Sequence, residues 1–148
     1  MAAVRKATLS DLDSLALLFD KYRIFYGKPT DIKGATAFLK ERFENKDSEI
    51  YVSVNEGTLT GFVQLYPLLS STRMKKLWLL NDLFVDQQYR GKGFSKALIE
   101  ESKKLCRATN ACALMLETAK TNVIGNSLYP STGFVLEEHS NFYEWACE

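Results

Sequence analysis

A chain of 148 residues with 46% hydrophobic and 25% charged side chains has the composition of a soluble globular protein, long enough to bury one core. A net charge of +1 argues against a nucleic-acid binder and against electrostatic attachment to an anionic membrane. No apolar run approaches the roughly 20 residues of a membrane span, and Met1 to Thr8 lacks the apolar segment of a secretory leader. The three cysteines, Cys106, Cys112 and Cys147, are odd in number and widely spaced, as in the reduced thiols of a cytoplasmic protein. With His139 the single histidine, no metal site is expected.

Taken in order, Val4 to Ala7 reads as a first strand. A helix follows from Thr8 or Ser10, each with an aspartate three residues on in the manner of a capping box. Leu12, Leu15, Ala16, Phe19 and Tyr22 form its apolar stripe, and Gly27-Lys28-Pro29 ends it. The run Tyr22-Arg23-Ile24-Phe25-Tyr26 holds more rings than one helix face buries. Phe25 and Tyr26 therefore either pack between helices or wall a pocket. A second helix is predicted from Asp31 to Phe43, then strands at Glu49 to Val54 and Leu59 to Tyr66 joined by Asn55-Glu56-Gly57-Thr58. Pro67 to Lys76 reads as a polar connection.

The stretch with most chemical content comes next. Leu77 to Val85 is a β-favouring apolar run interrupted by Asn81 and Asp82, followed by a polar turn and the loop Arg90-Gly91-Lys92-Gly93. From Phe94 the apolar spacing becomes helical, through Ala97, Leu98 and Leu105, to an end near Thr109-Asn110. A strand feeding a glycine loop that opens a helix binds anions: the backbone N–H groups turn outward and the helix terminus adds about half a positive charge. Arg90, Lys92 and Lys96 add mobile positive charge. The loop is neither a Walker A sequence nor a dinucleotide fingerprint, because Lys96 stands where the third glycine belongs. Ala111 to Leu116 is continuously apolar, as in a strand buried on both faces, and completes a right-handed βαβ unit. A short helix from Asn122 to about Ser131 and a closing hairpin, Phe134 to Glu138 with Phe142 to Trp145, end the chain.

Gln88-Tyr89-Arg90-Gly91-Lys92-Gly93 matches the Gln/Arg-x-x-Gly-x-Gly/Ala motif of the GNAT N-acetyltransferases, and the chain resembles that family along nearly its whole length. A second match is Asn122 followed by Leu128-Tyr129-Pro130-Ser131-Thr132-Gly133-Phe134, similar to the family's Asn … Leu-Tyr-x-x-x-Gly-Phe signature. The resemblance implies a single α/β domain over residues 1–148, with a mixed central sheet of six to seven strands flanked by helices and its central parallel strands splayed. It implies acetyl-coenzyme A as co-substrate and no metal. The pyrophosphate would lie on the loop amides of Arg90, Gly91, Lys92, Gly93, Phe94 and Ser95. The rest of the cofactor arm would lie along Leu83, Phe84 and Val85 and against Asn122 and Tyr129, with the Tyr129 hydroxyl near the thioester sulfur. Gly125 replaces the usual alanine, and Pro130 is placed to end the last helix early.

Within the family, the segment Trp78 to Gly91 resembles the diamine and polyamine acetyltransferases, where a Glu-Asp pair occupies the place of Asn81-Asp82. The glutamate is missing here, and neighbouring strand residues face opposite sides, so Asp82 would not replace it. Asp82 and Glu117 are the candidate proton acceptors; water alone is the third possibility. Tyr22, Phe25, Tyr26, Asn81 and Asp82 are the expected acceptor-site residues. The implied activity is transfer of an acetyl group to a small primary amine, polyamine-like or amino-acid-like. The alternatives are a protein or peptide amine, or a non-catalytic acyl-coenzyme A sensor. A homodimer using Phe142-Tyr143-Glu144-Trp145 is the expected assembly, without nucleic acid or membrane as partner.

Overall fold

A computed structural model describes residues 3–147; Met1 and Ala2, the start of the segment read for a leader, lie outside them. The described chain divides into two compact units, residues 1–117 and 118–148.

In the first unit the sheet has strand order β1-β2-β3-β4-β5, with β1 Ala3–Lys6, β2 Glu49–Asn55, β3 Thr58–Ser70, β4 Lys75–Val85 and β5 Leu114–Met115. The first three junctions are antiparallel and β4 to β5 is parallel. Five strands stand where six to seven were expected. Residues 132–147 hold none, because Val135 beside Leu136 and Phe142 beside Tyr143 are all exposed and present no single apolar face. Two short strands in water do not hold together without a third element to bury one side.

Two further corrections concern strand lengths. Pro67 to Ser70 continues β3, and the reversal is confined to Ser71–Met74, so the expected polar connection is mostly hairpin. The strand predicted over Ala111 to Leu116 shrinks to two residues and is half-buried, as befits a sheet edge.

Helix α1 (Leu12–Phe25) follows a 3-10 turn at Leu9–Asp11, and α2 (Ile32–Asn45) starts at its cap Asp31. Leu15, Ala16, Leu18 and Phe19 from α1, with Ala35 and Leu39 from α2, pack on Ile50, Val52, Phe62 and Phe84 of one sheet face. The opposite face carries the residues that alternate with these, Val63 and Leu65, beneath α3 (Phe94–Ala108) with its buried Phe94, Leu98 and Ile99. The strand–helix–strand passage β4–α3–β5 is the predicted βαβ unit.

The connection between α1 and α2 is pinned by one carboxylate. Asp20, buried on α1, accepts from the Asp31 backbone N–H and the Thr30 hydroxyl, both at 2.7 Å, while Asp31 caps α2 through the Gly34 N–H at 2.9 Å. Those donors, the Asp31 amide foremost, hold the Asp20 carboxyl below its ordinary range. A carboxylate with a depressed folded-state value stabilises the fold above the ordinary aspartate value and loses that contribution as pH falls below it. Asp20→Asn is therefore expected to melt several degrees below the wild type at pH 7, and the gap should close as pH falls below the ordinary value of 3.8. Thermal unfolding followed across pH checks this; a gap constant with pH would remove the charge from the explanation.

Candidate active site

The chemistry is organised around β4. Its ladder with β5 consists of Trp78 with Leu114 and Leu79 with Met115. Beyond Leu79, no strand among the described residues pairs with β4 on that side. Leu80 to Val85 thus present an open main-chain edge, which includes the expected cofactor strand Leu83-Phe84-Val85. An extended ligand can add to such an edge as another strand would.

Immediately after this edge comes the loop. A 3-10 turn at Gln87–Tyr89 leads to Gly91 and Gly93, whose φ values of 76° and 85° are left-handed. A Cβ built at either would meet nothing within 4 Å, so both glycines border open space. The first helical bond, Ala97 N–H to the Gly93 carbonyl at 3.1 Å, leaves the preceding amides of the loop and first turn without helical acceptors. Loop and terminus together fit a bound diphosphate: open space, amides without helical acceptors and the positive end of a 15-residue helix. Lys92 and Lys96 are exposed. Arg90 is not the mobile charge expected. Its Nε donates to the Val85 carbonyl at 2.9 Å, and its guanidinium lies over the rings of Phe25 and Phe84, at 5.4 and 5.5 Å.

On the α1/α2 side of β4 the aromatic cluster takes shape. Tyr22 packs edge-on against Phe62 and Phe84, at 5.6 and 6.0 Å, and against Tyr26 at 5.0 Å. Phe25 and Tyr26 are 59% and 51% exposed, so they are not the filling between helices; their rings meet each other at 5.3 Å on the surface.

Asn81 and Asp82 correct a simple alternation argument. Leu80 pairs with Leu65 and Asp82 with Gln64, so Asn81 is an extra residue, a β-bulge. The bulge lets adjacent side chains meet: Asn81 Nδ2 donates to Asp82 Oδ1 at 3.1 Å. Asp82, 6% exposed, also accepts from Gln64 Nε2 at 2.9 Å, and the Gln64 carbonyl accepts from the Ser48 hydroxyl at 2.9 Å. By register Asp82, Gln64 and Ile50 share the α1/α2 face, two residues along from Phe84. Burial, with the Asp82 charge next in size, pushes the nearby Tyr66 phenol up to about 12, so it stays a neutral hydroxyl. Glu117 is exposed, two residues past the end of β5 at Met115. Sequence reasoning missed Gln64, Ser48 and Tyr66. The available signal was an amide, Gln64, inside an otherwise apolar strand.

Residues 118–148 carry the second motif. Helix α4 (Val123–Ser131) is capped by Asn122, whose Oδ1 accepts from the Gly125 N–H at 3.1 Å and whose Nδ2 donates to Thr118 Oγ1 at 2.9 Å. A Cβ on Gly125 would stand 2.6 Å from Asn122 Nδ2, so glycine permits this cap. Pro130 does not end the helix early. It falls in the last turn, where its missing N–H costs one bond, and the Tyr129 carbonyl collects the N–H groups of Thr132 and Phe134 at 3.0 and 3.1 Å. The Tyr129 ring meets Phe134 edge-on at 5.8 Å.

Comparison with known proteins adds the following. The acetyltransferase (GNAT) family model matches residues 15–134. An uncharacterized N-acetyltransferase of Bacillus subtilis, YhfO, is 40% identical over 142 residues, 96% of this chain and 94% of its own. A "probable acetyltransferase" of Haemophilus influenzae is 31% identical over 140 residues, 94% of each chain. A crystal structure described as that of a probable acetyltransferase superposes with a TM-score of 0.94 at 34% identity, covering 99% of this chain and 98% of the other. A Bacillus subtilis protein provisionally named a ribosomal protein bS18-alanine N-acetyltransferase is 24% identical over 132 residues, 89% of this chain and 80% of its own.

Gly91→Asp or Gly93→Asp is expected to abolish coenzyme A binding in calorimetry, since the new carboxylate would occupy the open space and repel the diphosphate. Undiminished binding would locate the diphosphate elsewhere.

Proposed function

The chain belongs to the acetyltransferase (GNAT) family and is an acetyl-coenzyme A-dependent N-acetyltransferase, and from that premise we propose that its acceptor is the primary amine of a small cationic molecule, polyamine-like or amino-acid-like. The observation that carries this reading is the buried Asp82. Its hydrogen bonds come from two neutral amides, and no ion pair among the described residues involves it, so its charge is available to an ammonium group. The rings of Tyr22, Phe25 and Tyr26 lie on the same face and suit a cation's approach. Asn81, exposed above Asp82, would be the first polar contact, and Gln64 would fix the carboxylate behind it.

In the reaction, the amine nitrogen forms a bond to the thioester carbonyl carbon while the carbon–sulfur bond breaks. The nitrogen loses a proton and the departing sulfur gains one. A primary amine with pKa near 10 is mostly protonated at neutral pH, so a proton must leave before attack. Glu117, exposed two residues past the end of β5, is our acceptor for that proton through water, while Asp82 attracts the ammonium. A backbone N–H of the open edge near Phe84 would stabilise the carbonyl oxygen as its charge grows. By the motif they carry, Asn122 and Tyr129 are our candidates for contacting the cofactor arm and for the hydroxyl that donates to the sulfur. We take residues 1–148 as one functional domain, a reading supported by a family match that spans both compact units. The unpaired Cys106, Cys112 and Cys147 support a cytoplasmic location, and the exposed Phe142, Tyr143 and Trp145 support a homodimer.

A peptide amine is the second reading, favoured by the relative named for ribosomal alanine acetylation. Thiol release from acetyl-coenzyme A separates the two: faster turnover on a compact diamine or amino acid than on an alanine-starting peptide is expected, and the reverse order would transfer the assignment to peptides. Tyr129→Phe should lower kcat about a hundredfold with much less effect on coenzyme A affinity. Asp82→Asn should raise the amine KM well above any change in the KM for acetyl-coenzyme A; equal changes in both would remove Asp82 from the acceptor site.

A further inference from the structure

The glycine-rich loop makes little structure of its own. Between Asp86 and Gly93 its backbone bonds are Tyr89 N–H to Asp86 at 2.8 Å and Arg90 N–H to Gln87 at 3.3 Å. Its shape therefore depends on how it is anchored. At one end, Asp86 is tied to Lys21 of α1 at 2.9 Å, and its N–H donates to the Thr60 carbonyl at 2.8 Å. At the other, the Tyr89 ring meets the buried Phe94 edge-on at 6.4 Å. The anchor in the middle is Arg90.

We propose that Arg90 is a positioning residue, clamped by Phe25 of α1 and Phe84 of β4, which fastens the phosphate loop to the first helix and holds its amides in the geometry that receives the diphosphate. Three contacts converge on its guanidinium: the Nε–H bond that returns to the Val85 carbonyl, and the two ring faces. Phe84 is itself fixed, buried and held by Tyr22 at 6.0 Å and Phe62 at 6.4 Å. Phe25, the last residue of α1, is the exposed ring of the pair. No ion pair among the described residues involves Arg90, so the rings supply the attraction that a carboxylate would otherwise provide, without cancelling the charge beside the loop. A planar guanidinium can bond the carbonyl along its edge while its central carbon lies over two rings; a lysine ammonium has no such edge and plane. A loop ordered in advance spares the ligand the conformational entropy of ordering glycine backbone.

The test is coenzyme A affinity by calorimetry in full-length variants, and it rests on the loop being the coenzyme A site. Phe25 is more than half exposed, so its variants should fold. Phe25→Leu, which keeps an apolar side chain and loses the ring, is expected to weaken binding about threefold to tenfold. Phe25→Tyr should restore it. Arg90→Lys should lose as much as Arg90→Gln, and the double variant Phe25→Leu/Arg90→Gln should bind no worse than Arg90→Gln alone, since one clamp is broken only once. Wild-type affinity in Phe25→Leu, or losses that multiply in the double variant, would overturn the clamp. Absence of coenzyme A binding by the wild type would overturn the loop assignment beneath it.

Discussion

Every buried backbone N–H and carbonyl needs a partner, and β4 is a central strand whose second edge is paired over two residues only. From Leu80 onward that edge is committed to nothing within the described sheet. In a purely structural sheet this would be a liability, inviting adventitious strands. In an acyltransferase it is where a long, flexible substrate arm can be bound through main-chain groups, whatever the side chains. The glycine loop and α3 follow within a few residues of the open edge, so one continuous segment carries an unpaired strand edge, a glycine turn bordered by open space and a helix terminus, the features on which the proposed cofactor site rests.

The bulge at Asn81 performs a second task on the same strand. One extra residue moves Asp82 onto the α1/α2 face, in line with Gln64, and lets Asn81 reach the same carboxylate. A carboxylate at this depth is costly without donors, and the amides of Gln64 and Asn81 offset part of that cost while leaving the charge intact. Burial first, and the Asp82 charge second, raise the Tyr66 phenol nearby. The acceptor chemistry proposed for this face thus depends on a local irregularity of the strand.

Helix α1 ties these regions together. Its stripe of Leu15, Ala16, Leu18 and Phe19 is ordinary core, but its last turns carry Lys21, Tyr22, Phe25 and Tyr26 toward the end of β4. The aspartate that pins the following loop, Asp20, sits in the same stretch. A helix that begins as packing ends as a support for both the loop and the aromatic face.

Much of this was legible in the residues themselves, because the determinants are local. Helix stripes, the capping box at Thr8, the Glu56-Gly57 turn and the glycines at 91 and 93 depend on neighbours a few positions away, and the two motifs pointed to the family. What depends on strand register was not legible. The bulge at Asn81, the Gln64–Asp82–Ser48 network and the Phe25–Arg90–Phe84 clamp join residues up to 65 apart in sequence spacing of the kind seen for Lys21 and Asp86. The shortness of β5 and the unpaired terminal segment were misread for the same reason: an apolar run specifies a preference for burial, while the partner that makes it a strand is chosen by the tertiary structure. Sequence alone determined which chemistry the chain carries; register and packing decided which side chains share a face, because pairing is a property of two segments and neither contains it by itself.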